Sequence, residues 1–313
     1  MGGTMMALRA HSRGGPEQLV YEAAPVPAAG PGEALVEVHA CAITFAELTW
    51  DQTWTTKDGA DRTPVIPSHE VSGVVSALGD GVTGLAPGDE VYGLVDFDRD
   101  GAAAEYVAVP AAALAGRPRS VAHAEAAALP LAALTAWQAL VDQAGLQEGE
   151  SVLVLGAGGG VGVYAVQLAA HLGARVTASD AVRKADFVRG LGAERFIDSA
   201  AGAAGLTPQG FDVVIDAIGG PMPPERYGLP GPGGRLVTLS DSPSDDLAGE
   251  YGIRVLFFIV EPDQGELAHL AALTERGRLS PVVSQAFPLS EGRRAFESAG
   301  QPRPPGKTVL TVR

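Results

Sequence analysis

Five glycines fall within the seven residues Gly156-Ala157-Gly158-Gly159-Gly160-Val161-Gly162. An apolar run, Ser151–Leu155, precedes them, and Val161, Ala165, Leu168, Ala169 and Leu172 then recur at helical spacing. Bare backbone at a strand-to-helix turn lets a pyrophosphate reach free N–H groups and the positive end of a helix dipole. The expected chemistry is therefore dinucleotide binding. A strict G-x-G-x-x-G counted from Gly156 fails at Val161, and a merely tight turn is the structural alternative. The strands that follow favour the nucleotide. Asp180 ends the next strand, where a carboxylate accepts hydrogen bonds from a ribose 2′-OH, which points to NADH. Arg183 and Lys184 come next and need be no more than a solvated first-turn pair.

The elements around this turn alternate. Ser151–Leu155, Arg175–Ser179, Phe211–Asp216, Arg235–Leu239 and Ile253–Val260 read as strands, with helices such as Ala181–Leu191 between several of them and Gln264–Arg276 after the last. That is a doubly wound parallel sheet. Before about residue 122 the pattern is different, with short period-2 runs such as Ala34, Val36, Val38 and Ala40, broken by Gly and Pro turns. Residues 281–288 and 307–312 return to that β texture. The expected organisation is a β-rich domain from residues 1–121 and 278–313 and a nucleotide-binding domain from 122–277. A cleft between them would hold the ligands.

Composition narrows the function. The chain has 313 residues, 46% of them hydrophobic, enough for two cores, and its 41 Gly and 23 Pro stay below the share that marks disorder. Lys and Arg number 22 against 37 Asp and Glu, a net charge of -15 that repels nucleic acid and anionic membrane surfaces. Met1–Ala10 lacks a signal-like apolar stretch, and the most apolar windows, residues 126–137 and 255–260, are short for a bilayer span. Cys41 is the only cysteine, so no internal disulfide can form and a reducing cytoplasm is expected.

Several further motifs stand in one order: Pro31-Gly32-Glu33-Ala34-Leu35-Val36, Pro67-Ser68-His69-Glu70-Val71-Ser72-Gly73, Pro87-Gly88-Asp89-Glu90-Val91-Tyr92-Gly93 and residues 129–140. The glycine turn, Asp216-Ala217-Ile218-Gly219-Gly220, Gly233-Gly234-Arg235-Leu236-Val237 and Gly306-Lys307-Thr308-Val309-Leu310 complete the set. Together they resemble the medium-chain dehydrogenase/reductase superfamily, and within it the zinc-free quinone oxidoreductase branch. The resemblance implies an α/β protein with a GroES-like β-rich catalytic domain and a Rossmann domain. It also implies a homodimer formed by edge pairing of the last Rossmann strand. It places Ala217, Ile218, Ser240, Phe258 and Val260 along the cofactor and Lys307 at its pyrophosphate. Reductases of this kind hold a 2′-phosphate with a small hydroxylated residue and an Arg. Arg183 and Lys184 then favour NADPH, although Ala181 stands where the hydroxyl would be and NADH remains possible.

In the metal-dependent relatives a Cys, a His-Glu pair and a second Cys surround zinc. Here Thr44, His69-Glu70 and Pro130 or Leu131 stand at those positions. A lone histidine offers too few soft ligands, so no metal is expected. Cys41 lies three residues early and reads as a small packed residue. The resemblance sets Thr44, Phe45, Glu47, Trp50, Trp54, His69, Glu70, Tyr92 and Thr135 around the nicotinamide cleft. Of these, Glu70, His69, Glu47 or Tyr92 could supply the proton that follows hydride transfer, unless they are only cleft-wall residues. Trp50 and Trp54 are either an apolar substrate wall or core. The expected activity is zinc-independent, NAD(P)H-dependent reduction of an activated double bond in a quinone, enone or enoyl-type small molecule. The alternatives are alcohol/carbonyl interconversion and nucleotide binding without turnover.

Overall fold

The computed structural model describes residues 3–206, 208–239 and 243–313. Thr4–Ala10 (β1) and Leu19–Pro25 (β2) form an antiparallel ribbon. The alternating run expected near Ala34 becomes the long strand Glu33–Ile43 (β3), whose even-numbered residues from Ala34 to Ala40 are buried. A short helix, Asp51–Trp54 (α1), follows it. β3 pairs antiparallel with Glu70–Leu78 (β4) and Tyr106–Pro110 (β6). Glu90–Leu94 (β5) and Leu114–Gly116 (β7) extend this sheet beyond β4. Side-chain alternation divides β5 between two cores: Tyr92 and Leu94 face one cluster and Val91 the other.

His123–Ala126 (α2) and Pro130–Gln138 (α3) lead into the second half, with Pro130 at the first turn of α3, where a missing N–H costs nothing. The helical segment His123–Gln143 is long and apolar enough to cross a bilayer by length and composition, a property the shorter windows did not suggest. In this fold 78% of its most apolar window is buried inside the protein. A parallel sheet then builds from Ser151–Leu155 (β8), Arg175–Asp180 (β9), Arg195–Asp198 (β10), Phe211–Asp216 (β11), Pro230–Thr238 (β12) and Arg254–Phe257 (β13). Its order is β10-β9-β8-β11-β12-β13. The chain winds outward from β8 in both directions, so β8 and β11 flank the switch point where such sheets bind ligands. Val152 and Val154 pack on one face with Val163 and Val166 of Gly162–His171 (α4). Leu153 and Leu155 pack on the other with Leu236, Tyr227 and Ile253. Burying each such side chain stabilises by about 1.5–3 kcal/mol. Ala185–Gly190 (α5) and Asp245–Tyr251 (α6) complete this half.

Two strand expectations need correction. β10 was not anticipated, because its four residues are exposed or only half-buried and carry little apolar signal. The apolar run 253–260 is strand only over Arg254–Phe257; Phe258, Ile259 and Val260 leave the sheet. After Gln264–Glu275 (α7), Val283–Pro288 (β14), Gly292–Glu297 (α8) and Lys307–Thr311 (β15) follow. β15 pairs antiparallel with β3, Thr308 opposite Ile43 and Leu310 opposite Cys41, and β14 lies parallel to β15. This register brings Lys307 beside Thr44.

Candidate active site

The glycine turn is built by close approach. Gly156 has φ +72°, a region glycine occupies without strain, and its N–H donates to Ser179 O at 2.9 Å. A Cβ on Gly162 would lie 2.1 Å from Gly156 O, so Gly162, one position beyond the strict pattern, is the glycine that lets α4 pack on β8. Val161 is the N-cap and packs half-buried against the core. Gly159 N–H turns back to Gly156 O, while Gly160 and Val161 N–H meet no acceptor among the described residues. Two lysine stems wall the turn. An added Cβ would come 2.5 Å from Lys184 Cδ at Gly158 and 3.0 Å from Lys307 Cδ at Gly160. Unclaimed N–H groups and bare backbone fit a pyrophosphate.

At the ribose end Asp180 is not free. Its Oδ2 accepts from Gly158 N at 2.8 Å, and Lys184 Nζ lies 3.1 Å from Oδ1 while also donating to Gly158 O at 3.2 Å. Arg183 is exposed, with no polar partner among the described residues. Across the switch point Ala217 and Ile218 sit against Gly156. Asp216 is buried, accepts from Ile218 N at 3.1 Å and pairs with Arg226, so it shapes the loop that carries Ile218. Phe258 and Val260 belong to the core cluster that includes Ala157 and Val163. Ser240 lies outside the described residues.

The six residues expected to carry chemistry separate by burial. Glu47 is fully buried; its carboxyl accepts from Thr44 N at 3.2 Å and Ser68 N at 2.9 Å, and burial pushes its pKa up to about 8. It ties the Thr44 loop to the Ser68 bend and cannot touch a substrate. His69 is 3% exposed, packs edge-on to Phe97 and lies 3.8 Å from Glu47; burial lowers its pKa to about 4, so it is neutral at pH 7. Tyr92 is buried and donates to Leu267 O at 2.6 Å, which commits it to α7 and corrects its place among proton donors. Thr135, 6% exposed, donates to Leu131 O at 2.6 Å within its own helix.

Glu70 is also fully buried. One oxygen accepts from Leu131 N at 3.0 Å and Ala132 N at 3.4 Å at the start of α3, and the other forms an ion pair with Lys307 Nζ at 2.5 Å. Burial raises the Glu70 pKa and Lys307 opposes that shift. Lys307 Nζ donates in addition to Thr44 Oγ1 at 3.1 Å. Thr44 alone of the six is only half-buried. Lys307, expected at the pyrophosphate, lays only its stem against the glycine turn and commits its ammonium to Glu70 and Thr44.

A cleft of about 620 Å³ is lined in part by Thr55, Lys57, Phe97, Ile259 and Glu261, and by none of the six residues expected to carry chemistry. Trp54 belongs to the core, its Nε1 donating to Leu48 O at 2.9 Å, whereas half-buried Trp50 stands edge-on to Phe97. Phe97 and Arg303, whose guanidinium stacks 3.7 Å over Phe45, were not anticipated. Both sit in loops without periodic pattern, where sequence gives no direction to a side chain. Cys41 is a packed β3 residue whose thiol pKa is pushed up by burial.

A family model described as alcohol dehydrogenase GroES-like domain matches residues 30–119, and one described as zinc-binding dehydrogenase matches residues 191–310. The chain is 39% identical over 196 residues to the spectinabilin polyketide synthase system protein NorB of Streptomyces orinoci. That match covers 57% of this chain but only 9% of the length of the relative. It is 28% identical over 318 residues to quinone oxidoreductase of Homo sapiens, covering 94% of this chain and 93% of the other. The solved quinone oxidoreductase from Coxiella burnetii superposes with a TM-score of 0.89 at 29% identity, covering 99% of this chain and 100% of that one. The chain belongs to the medium-chain dehydrogenase/reductase superfamily of NAD(P)H-dependent oxidoreductases, as a quinone oxidoreductase-like member. A zinc ion does not fit the donors present: among the described residues no group of three His, Cys, Asp or Glu side chains could hold a metal. A lysine ammonium stands between Glu70 and Thr44.

Proposed function

We propose that the protein is a zinc-independent reductase that transfers hydride from NADPH to an activated double bond in a quinone, enone or enoyl-type small molecule. The observation that carries this reading is Lys307 placed between Glu70 and Thr44, where an internal cation supplies the positive charge of the site without a metal. When bound, the nicotinamide supplies the hydride. The chain's own residues hold the pyrophosphate at Gly160 and Val161, offer an apolar wall in Phe97 and Trp50, and supply in half-buried Thr44 a hydroxyl backed by the Lys307 ammonium. NADPH is preferred over NADH because Arg183 is exposed without an acidic partner among the described residues and Asp180 is already paired with Lys184.

The proposed assembly is a homodimer through the free edge of β13, beside which Phe257 and Ile259 are 40% and 53% exposed. The net charge of -15 argues against nucleic acid and membrane partners, and the lone buried Cys41 suits the cytoplasm. The test is oxidation of NADPH and NADH by purified protein with a panel of quinones, enones and simple aldehydes, alongside elemental analysis. Turnover of quinones or enones without bound zinc is expected. One tightly held zinc per chain, whose removal abolishes activity, would overturn the metal-free reading, and turnover of aldehydes alone would overturn the substrate class.

A further inference from the structure

Thr44 is the half-buried end of the polar cluster formed with Lys307 and Glu70. Its hydroxyl oxygen accepts from Lys307 Nζ at 3.1 Å, and its own hydroxyl hydrogen meets no acceptor among the described residues. Behind it the Lys307 ammonium is held by Glu70 at 2.5 Å, and Glu70 is held in turn by the first N–H groups of α3. The Thr44 main chain is fixed from the other side by Glu47. Carboxylate, ammonium and hydroxyl thus form a chain in which Lys307 donates both to buried Glu70 and to half-buried Thr44. A hydroxyl that accepts a hydrogen bond from a cation is polarised and becomes a stronger donor through its own hydrogen. The Lys307 stem also lies against Gly160, so the hydroxyl stands close to where the cofactor enters.

We propose that Thr44 donates its hydroxyl hydrogen to the substrate oxygen on which charge develops during reduction, and that Lys307, held by Glu70, replaces that proton. This rests on the reductase reading above. In an enone, hydride bonds to the β-carbon, the C=C pair forms a new double bond between the α-carbon and the carbonyl carbon, and the carbonyl π pair moves to oxygen. The Thr44 O–H bond breaks as its proton joins that oxygen, and a proton from Lys307 Nζ restores the hydroxyl. The resulting neutral amine takes a proton from water, and the enol becomes the ketone by exchanging its O–H proton for one at the α-carbon. The substrate gains one hydride and one proton. In a quinone the same proton reaches the hydroquinone oxygen directly. Thr44 is then a catalytic residue, and Lys307 and Glu70 are positioning residues.

The test uses Thr44→Val, Thr44→Ser, Lys307→Met and the charge-neutral pair Lys307→Met with Glu70→Gln, which avoids leaving a buried carboxylate unpaired. Two quantities are read in the full chain: kcat with saturating NADPH and an enone, and binding of 4-nitrophenol with NADP+. The ionised oxygen of this phenol mimics the enolate and reports its charge state by absorbance. Wild type should bind the phenolate in preference to the phenol. Thr44→Val and the Lys307 variants should each weaken phenolate binding by about tenfold or more and lower kcat by about 10²-fold, the usual effect of removing one oxyanion donor. Thr44→Ser should restore both. Thr44→Val with unchanged phenolate binding and kcat would overturn the role of the hydroxyl. If the Lys307 variants lose NADPH affinity alone, the lysine is only a cofactor contact and the relay fails. If wild type binds phenolate through Thr44 yet reduces no enone or quinone, the oxyanion site stands and the reductase reading falls.

Discussion

Asp180 and Lys184 are bound to each other at 3.1 Å, and both hold Gly158, the carboxylate through its N–H and the ammonium through its carbonyl. The acidic residue that would greet a ribose hydroxyl is thus turned into the glycine turn with its charge offset. Arg183 is left as the cation of that corner without a partner among the described residues. Arg183→Ala should therefore cost about 1.5–3 kcal/mol in NADPH binding and little in NADH binding, about tenfold or more in relative affinity. Lys184→Ala should release Asp180 and move the preference toward NADH. Titrating both nucleotides against the three proteins decides it. The preference for NADPH fails if wild type binds NADH about tenfold more tightly and Arg183→Ala leaves NADPH unchanged.

The glycines of the turn should respond differently to substitution. At Gly160 the nearest atom is the movable Lys307 stem, so Gly160→Val should fold and lose cofactor affinity. At Gly162 an added methyl meets the Gly156 carbonyl and the Ala157 Cα, so Gly162→Ala should destabilise by about 1–3 kcal/mol through overpacking. Thermal melts paired with nucleotide titration separate the two. A folded Gly160→Val that binds NADPH normally would remove the site from this turn.

Assembly is read from β13. Its outer edge is unpaired among the described residues and Phe257 is exposed there. Light scattering should give a particle of two 31.9 kDa chains, and Phe257→Lys should weaken association by about tenfold or more through an edge charge. A monomer at micromolar concentration would rule out the pairing.

His69 links the site to stability. Its pKa is lowered in the folded protein to about 4 from an unperturbed 6.5, so its contribution is present above about pH 6.5 and is lost as pH falls through 4. Glu47 has the opposite sign: with a folded value of about 8, its contribution is full below 4.5 and disappears as pH rises through 8. Denaturant midpoints of His69→Asn should fall less than those of wild type between pH 6.5 and 4, by up to a few kcal/mol in free energy. Parallel curves for the two proteins would contradict the burial argument.

The sequence made the nucleotide half legible because strand, glycine turn and helix each have a local signature. Gly162 shows the limit: its role is set by the carbonyl it packs on, which no spacing rule counts. The run 253–260 reads as one strand, yet residues 258–260 are apolar for the cleft and core rather than for the sheet. On the catalytic side residue types were readable but directions were not. Tyr92 and Glu47 belong to motifs that border the cleft, yet strand alternation and a buried turn carry their side chains inward. The meeting of Lys307 with Glu70 and Thr44 depends on pairing between strands far apart in the chain, which only the register of β15 on β3 determines.

That register also orders events during synthesis. The nucleotide-binding sheet has all its described strands once residue 257 has emerged, whereas β3, already paired with β6 over residues 33–37, still lacks its partner along residues 40–43. A nascent chain halted before residue 307 would carry a finished glycine turn beside a half-built catalytic wall, with Glu70 still lacking its counter-charge. Such long-range closure is slow and leaves β3 open to foreign strands in the interval. Chaperone dependence in this protein should therefore centre on the uncovered end of β3 until residues 307–311 have paired with it.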